Sequence, residues 1–464
     1  MEAKIVQLMA IIEKQSARIA ALEEQVRRSS SNSSKPPSVD GPEHKPKRQR
    51  KSSGRKPGGQ PGHQRNMRVL EPTAKAAKVV PCIPEHCEKC KRKLHGRDLS
   101  PQRHQVFELP KFEPTFDEYQ LHAIGCGCGH VTRGKLPPDV PRGAFGPGVV
   151  AVVALLMGVY RLSKRMVPDL MLDVFNLRMS VGAVVGCQQL ASEAVAASVD
   201  EAKEHVIEQP IKYADETGWR EGSKRTRAWL WTASTRSVVV FMVHPRRNAD
   251  AAKALLVKAA GILVSDRYGA YSWWPDRLRQ LCWAHINRDM LAIAERGGQS
   301  EFVGKSLMEE IERMFHWWHS VRDGTLKRRS FEVYMRSLRI RFEAVLDVGK
   351  ASDHPKTAKT CANLLKHACS LWTFVRVAGV EPTNNSAEQA IRHAVILRKI
   401  SYGTHSKMGS RFIERILTVH GTLRRQQRNI LIFLRDACTA KLHHAGSPSL
   451  LPLMVLHSQL AEVV

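Results

Sequence analysis

The chain has 464 residues, room for roughly two to four domains, and its 72 lysines and arginines outweigh 44 aspartates and glutamates, giving a net charge of +28. Such an excess of positive charge indicates a polyanionic partner, and nucleic acid is the first candidate. Since no apolar run reaches the roughly 18 to 20 residues that cross a bilayer, and the first residues carry charges, we expect an intracellular protein with no membrane partner.

An amphipathic segment opens the chain, and we delimit it at residues 1–28. Its apolar side chains recur in steps of three and four, as in a heptad seam: Ile5, Leu8, Ile12, Ile19, Leu22 and Val26. This spacing predicts a short coiled coil that joins protomers into a homo-oligomer, most simply a dimer. The alternative is an amphipathic helix that packs on its own domain.

Residues 29–68 form a linker rich in Ser, Pro, Gly, Lys and Arg, with too few apolar side chains for a core. The basic run from Lys45 to His63 predicts an arm that lies along DNA phosphates, with Arg55 and Lys56 among its contacts. The alternative is a solvated tail without a partner.

A cysteine-rich region follows at residues 69–141, where five of the ten cysteines lie between Cys82 and Cys128. In a reducing compartment these cysteines are expected to be free or metal-bound rather than disulfide-bonded.

Residues 146–205 show a helical pattern. Two short amphipathic stretches flank a turn near Asn176. Their arrangement fits either a helix-turn-helix that presents Arg161, Lys164 and Arg165 to DNA, or plain helical packing.

Strand-like runs begin after Glu208. Three β-rich segments predict an antiparallel meander, and a helix from Asn248 to Ala260, a strand ending at Asp266, a further helix and a last strand complete the order. This order is that of a ribonuclease H-like α/β core over residues 206–285.

The remainder of the chain is predicted to be helical. Residues 286–380 show helical periods only and are assigned to an all-helical insertion. Residues 381–440 are assigned to a core helix that bears Glu388 and to C-terminal helices, and 441–464 to a tail. The fold class is therefore multidomain α+β.

Two carboxylates lie at the ends of apolar strand stretches. Asp215 and Asp266 each share a strand face with apolar residues. A buried, unpaired carboxylate is costly, so such a residue has a metal, a cation or hydrogen-bond donors around it. Taken singly, each is also explained as an aspartate that caps a turn. Glu216 points to the opposite strand face and is the weaker ligand candidate.

Glu388 has two explanations. The spacing from Asn385 to Glu388 fits a capping box at the start of a helix. However, cations follow on roughly the same helical face, which suits a metal at the helix start and DNA phosphate beyond it. We predict Arg392, Arg398 and Lys399 as those phosphate contacts.

Three carboxylates from two strands and a helix can hold two divalent cations about 3.5 to 4 Å apart. Oxygen ligands suit Mg²⁺, with Mn²⁺ as a substitute. Such a site activates water for cleavage of a phosphodiester, and a 3′-hydroxyl in the place of water then attacks a second one.

Several sequence blocks resemble the transposases of the insertion sequence 66 family: SSSNSSKPPS, GRKPGGQPGH, YADETGW, VSDRYGAY, QLCWAHINRDM and TNNSAEQAIRHAVILRKISYG. They occur in the family's order, and the resemblance extends from Ile5 to about Leu434. It implies a ribonuclease H-like DDE core with Asp215, Asp266 and Glu388 as its carboxylates, interrupted by an all-helical insertion. It also implies double-stranded DNA partners, namely the element's terminal inverted repeats and a target, and a cytoplasmic, nucleoid-associated bacterial protein.

The same family carries a cysteine-rich zinc-binding region before the core. The expected ligands are two closely spaced pairs: Cys87, Cys90, Cys126 and Cys128. A C-x-x-C spacing lets one turn present two thiolates to one zinc, and four such ligands make a closed, structural site. The second pair is one residue closer than this spacing, so alternatives for one thiolate remain: His122, His130 and Cys82.

Cys282 and His285 resemble a C-x-x-H element that DDE families carry near the start of a helical insertion. The pair forms either a second metal site or structural support beside the active site, with Arg288 available to phosphate.

We therefore expect a Mg²⁺-dependent transposase that binds the ends of its own element and cuts and rejoins DNA. The first alternative is a zinc-containing DNA-binding repressor without catalytic activity. The second is a ribonuclease H-like nuclease that cleaves without strand transfer.

Overall fold

The computed structural model describes residues 2–29, 33–35, 68–96, 98–224 and 226–452. The chain divides into two compact units: residues 45–113 form the smaller, and the remaining residues form the larger. The whole basic arm from Lys45 to His63, with Arg55 and Lys56, and the end of the tail lie outside the described residues. Among the described helices, none is long and apolar enough to span a bilayer.

The described part of the smaller unit contains a 3-10 turn at Thr73–Lys75 and a tight turn around Cys87. The N–H of Cys87 donates to the carbonyl of Arg92, and His86 pairs with Lys93 in an isolated antiparallel bridge. This turn brings Cys87 and Cys90 to one loop, as the C-x-x-C spacing predicts.

The larger unit begins with a long helix, followed by a small antiparallel hairpin and four helices. The elements are α1 (Glu2–Arg27), β1 (Ala123–Gly125), β2 (Val131–Arg133), α2 (Pro147–Gly158), α3 (Met166–Phe175), α4 (Val181–Ala194) and α5 (Ala196–Glu208). The helix predicted at the start of the chain is present, and apolar side chains along it are exposed, including Ile5, Ile12 and Ile19. Its pairing into a coiled coil stays a prediction.

A turn separates α3 from α4, as predicted near Asn176. Asn176 has a φ of 50° and ends α3 in the left-handed conformation, which asparagine tolerates better than most residues. Ser180 then caps α4 by accepting a hydrogen bond from the N–H of Ala183.

A five-stranded mixed sheet forms the centre of the larger unit. Its elements are β3 (Ile211–Glu221), β4 (Thr226–Ser234), β5 (Val239–His244), α6 (Ala249–Leu256), β6 (Ile262–Ser265) and β7 (Arg279–Leu281). The strand order is β5-β4-β3-β6-β7. The first three strands form the predicted antiparallel meander, and β6 and β7 extend the sheet in parallel with β3.

One predicted helix of the core is absent from the structure. Between β6 and β7 the chain forms only two 3-10 turns, at Gly269–Tyr271 and Asp276–Leu278. Pro275 lies between these turns, and proline disfavours helical backbone in the residue before it. The prediction of a full helix here was wrong.

Six helices follow the sheet and form a second hydrophobic core. They are α7 (Trp283–Ala294), α8 (Gly298–Arg322), α9 (Arg328–Lys350), α10 (Pro355–Lys366), α11 (Ala368–Leu371) and α12 (Thr373–Arg376). Buried aromatic side chains pack edge to face between them, for example Trp283 on Phe342 and Trp318 on Phe374.

The chain then returns to the sheet through α13 (Asn385–Ser401), α14 (Lys407–Arg425) and α15 (Ile430–Leu442). Helix α14 covers the free edge of β5. The hydroxyls of Thr422 and Thr418 accept hydrogen bonds from the N–H groups of Val239 and Phe241. An edge strand with unpaired N–H groups invites pairing with another chain, and these side chains occupy its donors.

Candidate active site

Asp215 on β3 and Asp266, the residue directly after β6, lie at the same end of two neighbouring parallel strands. The register of β3 and β6 pairs Tyr213 with Val264, two residues before each aspartate, and the two carboxylates are close enough for their charges to interact. Side chains two residues apart share a strand face, and neighbouring strands are about 4.8 Å apart. The structure therefore brings together the two aspartates that the sequence selected.

Backbone N–H groups hold one oxygen of each aspartate. The N–H of Glu216 donates to Oδ1 of Asp215 at 2.9 Å, and the N–H of Tyr268 donates to Oδ1 of Asp266 at 2.9 Å. Both side chains are thus fixed by the local backbone, and both residues are half-buried.

The electrostatics around Asp215 are unfavourable for a negative charge. Burial, followed by the charges of Glu216 and Asp266 and more weakly Glu388, raises the pKa of Asp215 well above its ordinary value. A carboxylate cluster in which like charges repel is relieved by a bound cation. The donor set of carboxylate oxygens fits a hard divalent cation.

The start of α13 is tied to the aspartate strand. The side-chain amide of Asn384 donates to the carbonyl of Ala214 at 2.8 Å, directly before Asp215. The backbone N–H of Asn384 donates to Sγ of Cys282 at 3.2 Å. Glu388 follows one helical turn later, so these bonds fix the helix end that carries it.

The capping explanation of Glu388 was wrong. Asn384, not Asn385, is the N-cap of α13, and it makes no side-chain capping hydrogen bond. The Glu388 carboxylate turns instead toward α7, where its Oε1 lies 3.4 Å from Nδ1 of His285 and 4.0 Å from Sγ of Cys282.

Within the described part of the chain, Cys282, His285 and Glu388 form a group whose potential ligand atoms all lie within 4.8 Å of one another. The three carboxylates selected from the sequence do not meet this criterion. Burial raises the pKa of the Cys282 thiol to about 11, and burial with the nearby Arg288 guanidinium lowers the pKa of His285. Glu388 thus lies between the two aspartates and Cys282 with His285, whose sulfur and nitrogen atoms are softer metal ligands than carboxylate oxygens.

A cavity of about 340 Å³ opens beside Asp266. His285 and Arg288 from α7 line it with Asp266, so an acidic group, an imidazole and a guanidinium face the same space. Its walls are braced by an ion pair of 2.7 Å between Arg267 and Asp289. The predicted phosphate contact Arg288 therefore lines the same cavity as Asp266.

Glu216 has a structural environment of its own. Its side chain is 1 % exposed and accepts hydrogen bonds from Arg247 at 2.7 and 3.0 Å and from the Tyr271 hydroxyl at 2.6 Å. These partners account for the carboxylate without a metal. The sequence patterns give no prediction for Arg247 or Tyr271, apart from the position of Tyr271 at the end of the VSDRYGAY block.

The cations predicted on α13 differ in their surroundings. Arg392 and Lys399 are exposed. Arg398 is half-buried and donates to the hydroxyl of Thr217 at 3.0 Å and to the carbonyl of Gly218 at 2.6 Å, so it holds α13 on β3.

The four predicted zinc ligands lie in two turns, one in each unit. Hydrogen bonds from the backbone of Cys90 and Lys89 lower the pKa of Cys87, and hydrogen bonds from Cys128 lower the pKa of Cys126. A lowered thiol pKa favours the thiolate that binds metals. That the two pairs share one zinc stays a prediction.

Comparison with known proteins gave two family matches. The model described as Transposase IS66 family matches residues 142–411, which include the carboxylates and the cavity residues discussed above. A family of unknown function, DUF6444, matches residues 1–69. The comparison with curated proteins gave no match.

Proposed function

Since the chain belongs to the transposase IS66 family, we propose that it is a DNA transposase in which Asp215, Asp266 and Glu388 hold the divalent cations for strand cleavage and strand transfer. The observation that carries this proposal is the parallel pairing of β3 and β6, which brings the Asp215 and Asp266 carboxylates close enough for their charges to interact. The hydrogen bond from Asn384 to the Ala214 carbonyl holds the start of α13 on β3 and so supports Glu388 as the third ligand.

The topology supports a ribonuclease H-like core. Three antiparallel strands lead into two strands that extend the sheet in parallel with the first, in the order β5-β4-β3-β6-β7. Helices α7 to α12 stand between the last strand and α13, in the place of the expected insertion. We assign the catalytic core to 206–285 and to α13, and the insertion to 286–380.

Mg²⁺, or Mn²⁺ in its place, suits the carboxylate oxygens and would supply Lewis-acid activation of the phosphodiester. Residues of the chain position the carboxylate oxygens that would bind the cations. Asp215 and Asp266, each held by a backbone N–H, present their second oxygens, and Glu388 completes the set from α13. Arg288, on the cavity wall, is placed to bind a phosphate oxygen.

DNA binding is assigned to the cationic segments of the chain. The net charge of +28 supports a large electrostatic contribution to DNA affinity. We assign phosphate contacts to Arg392 and Lys399, which are exposed, and to Arg55 and Lys56 of the basic arm. The apolar residues exposed along α1 support a dimer that pairs two element ends.

Cleavage and joining of a duplex that carries the element's terminal inverted repeat test the proposal. The wild-type protein with Mg²⁺ is expected to nick the end and join its 3′-hydroxyl to a target plasmid. Asp266→Asn should abolish both steps while keeping end binding, and Asp347→Asn, at an exposed position on α9, should change neither. Wild-type cleavage by Asp266→Asn would refute the site. If the wild type binds the end but does not cleave it, the result would instead support a zinc-containing repressor. If it cleaves the end but does not join it to a target, the result would support a nuclease.

A further inference from the structure

We propose that Cys282, His285 and Glu388 form a second cation site, which takes a borderline divalent cation of the Zn²⁺ class rather than Mg²⁺. The three residues supply sulfur, nitrogen and oxygen from the starts of α7 and α13. Sulfur and imidazole ligands select such a cation over Mg²⁺. The inference goes beyond the proposed function and rests on it only for the catalytic role of Glu388.

The distances among the three ligand atoms fit a cation bound between them better than a direct ion pair between His285 and Glu388. An ion pair between a protonated imidazole and a carboxylate closes to about 2.7 to 2.9 Å. The distance from Nδ1 of His285 to Oε1 of Glu388 is 3.4 Å. With metal-to-ligand bonds of about 2.0 to 2.3 Å, the ligand atoms of a tetrahedral zinc site lie about 3.3 to 3.6 Å apart. The Cys282 sulfur, 4.0 Å from the same oxygen, needs only a small inward shift.

The imidazole nitrogen also lacks another partner. Nδ1 of His285 is buried and makes no hydrogen bond within the described part of the chain. Buried polar atoms without a partner are rare and call for an explanation. A cation bound between Nδ1 of His285 and Oε1 of Glu388 would give this nitrogen a partner.

The local backbone is built to present these ligands. Cys282 is the N-cap of α7 and His285 lies in its first turn, so one turn directs both side chains toward Glu388. The thiol of Cys282 is buried, and its sulfur accepts the N–H of Asn384 at 3.2 Å. Such an outer hydrogen bond orients a metal ligand, and here it also links α7 to α13.

Occupation of the site would fix the orientation of Glu388. With Oε1 bound beside Cys282 and His285, its Oε2 remains for the cations of Asp215 and Asp266. Three protein ligands leave a fourth position open for water or a phosphate oxygen, as in zinc sites that bind substrates. Binding also releases the thiol proton of Cys282 to solvent, so the affinity should rise with pH.

Co²⁺ is the probe for this site, because a cobalt–thiolate bond gives a near-ultraviolet charge-transfer absorption. The full-length chain is used with five serine substitutions that remove the cysteine-rich region's thiols: Cys82→Ser, Cys87→Ser, Cys90→Ser, Cys126→Ser and Cys128→Ser. We expect one Co²⁺ to bind with this absorption and Zn²⁺ to displace it. Adding Cys282→Ser should remove the absorption, and adding His285→Gln should weaken Co²⁺ binding at least about tenfold. Cys361→Ser, at a buried cysteine of α10, is the matched control and should change nothing.

A second measurement covers the case in which the five substitutions impair folding. Zinc content is compared between the wild type and Cys282→Ser purified alike, and we expect one equivalent less in the variant. Equal zinc content, or a thiolate absorption that survives Cys282→Ser, would overturn the inference.

Mg²⁺-dependent cleavage is measured on the same preparations. A protein that retains Cys282, His285 and Glu388 and cleaves DNA but shows no cobalt–thiolate absorption would refute only this inference. A protein that shows the absorption but does not cleave DNA would refute only the proposed function.

Discussion

The hydroxyl of Tyr271 donates a 2.6 Å hydrogen bond to Oε2 of Glu216, the residue next to Asp215. Arg247 pairs with the other oxygen of Glu216, and its guanidinium stacks over the ring of Tyr268 at 4.0 Å from the centroid. The backbone of Asp215 and the loop after Asp266 are therefore braced by one hydrogen-bond network around the buried Glu216 carboxylate.

Tyr271→Phe should lower the free energy of unfolding by about 1.5 to 3 kcal/mol, because a buried hydrogen bond to a charged group is lost without a change of shape. Urea unfolding without divalent cations measures this. Tyr334→Phe, at an exposed tyrosine on α9, is the control and should stay within about 0.5 kcal/mol. Equal stability of Tyr271→Phe and wild type would show that Glu216 does not need the Tyr271 hydroxyl.

Lys212 is fully buried, and its Nζ donates to the carbonyls of Ile207 at 2.5 Å and Ala260 at 2.7 Å. Lys212→Met keeps the aliphatic chain but leaves both carbonyls without this donor, so we expect a loss of about 1 to 3 kcal/mol in the free energy of unfolding. Lys258→Met, at an exposed lysine nearby, should have little effect. An unchanged denaturation midpoint for Lys212→Met would contradict this account of the β3 start.

The rings of His420 and His393 lie in contact, with centroids 4.4 Å apart and planes tilted by 40°. Burial, then the charges of His393, Arg424 and Arg161, lowers the pKa of His420 to about 4. The unfolded chain, with a histidine pKa of about 6.5, then binds more protons, so the fold loses stability as the pH falls from about 6.5 to about 4. His420→Gln should flatten this decline in pH-dependent unfolding, and the exposed His316→Gln should not. A decline as steep as that of the wild type would refute the assignment.

Substitution by alanine should change the stability of the fold in opposite directions at two helical glycines. A Cβ at Gly304 on α8 would clash with the backbone nitrogen of Ala294, so Gly304→Ala should cost about 1 to 3 kcal/mol through separation of α7 and α8. A Cβ at Gly186 on α4 meets nothing within 4 Å, and Gly186→Ala should stabilise the fold by about 0.5 to 1 kcal/mol. Thermal unfolding measures both changes, and a Gly304→Ala variant at least as stable as the wild type would contradict the close approach at Gly304.

Much of the sheet was predictable because its strands carry a strong local pattern. Alternating apolar residues around Asp215 and the apolar run before Asp266 predict two strands, and both are present. The sequence patterns place each aspartate at the end of an apolar strand, and the parallel pairing of β3 with β6 is a finding of the structure. The helix expected before β7 is replaced by 3-10 turns because Pro275 interrupts a short connection.

The contacts of long side chains could not be predicted in the same way. Arg398 shares with Arg392 and Lys399 a sequence pattern that suits phosphate, yet its guanidinium donates to β3. Glu388 satisfies a capping spacing, yet its carboxylate faces His285 from another helix. In both cases the partner is distant in the chain, and only the packing of α13 decides which contact forms.

Single-turnover cleavage of end-containing DNA in Mg²⁺ by Asp215→Asn, Asp266→Asn and Glu388→Gln tests the three-carboxylate site most directly. Each variant should bind the end but cleave about a thousandfold more slowly, because the loss of a metal ligand removes several kcal/mol of transition-state stabilisation. Asp347→Asn should cleave at the wild-type rate. Wild-type cleavage rates in the two aspartate variants would contradict the assignment of the catalytic site.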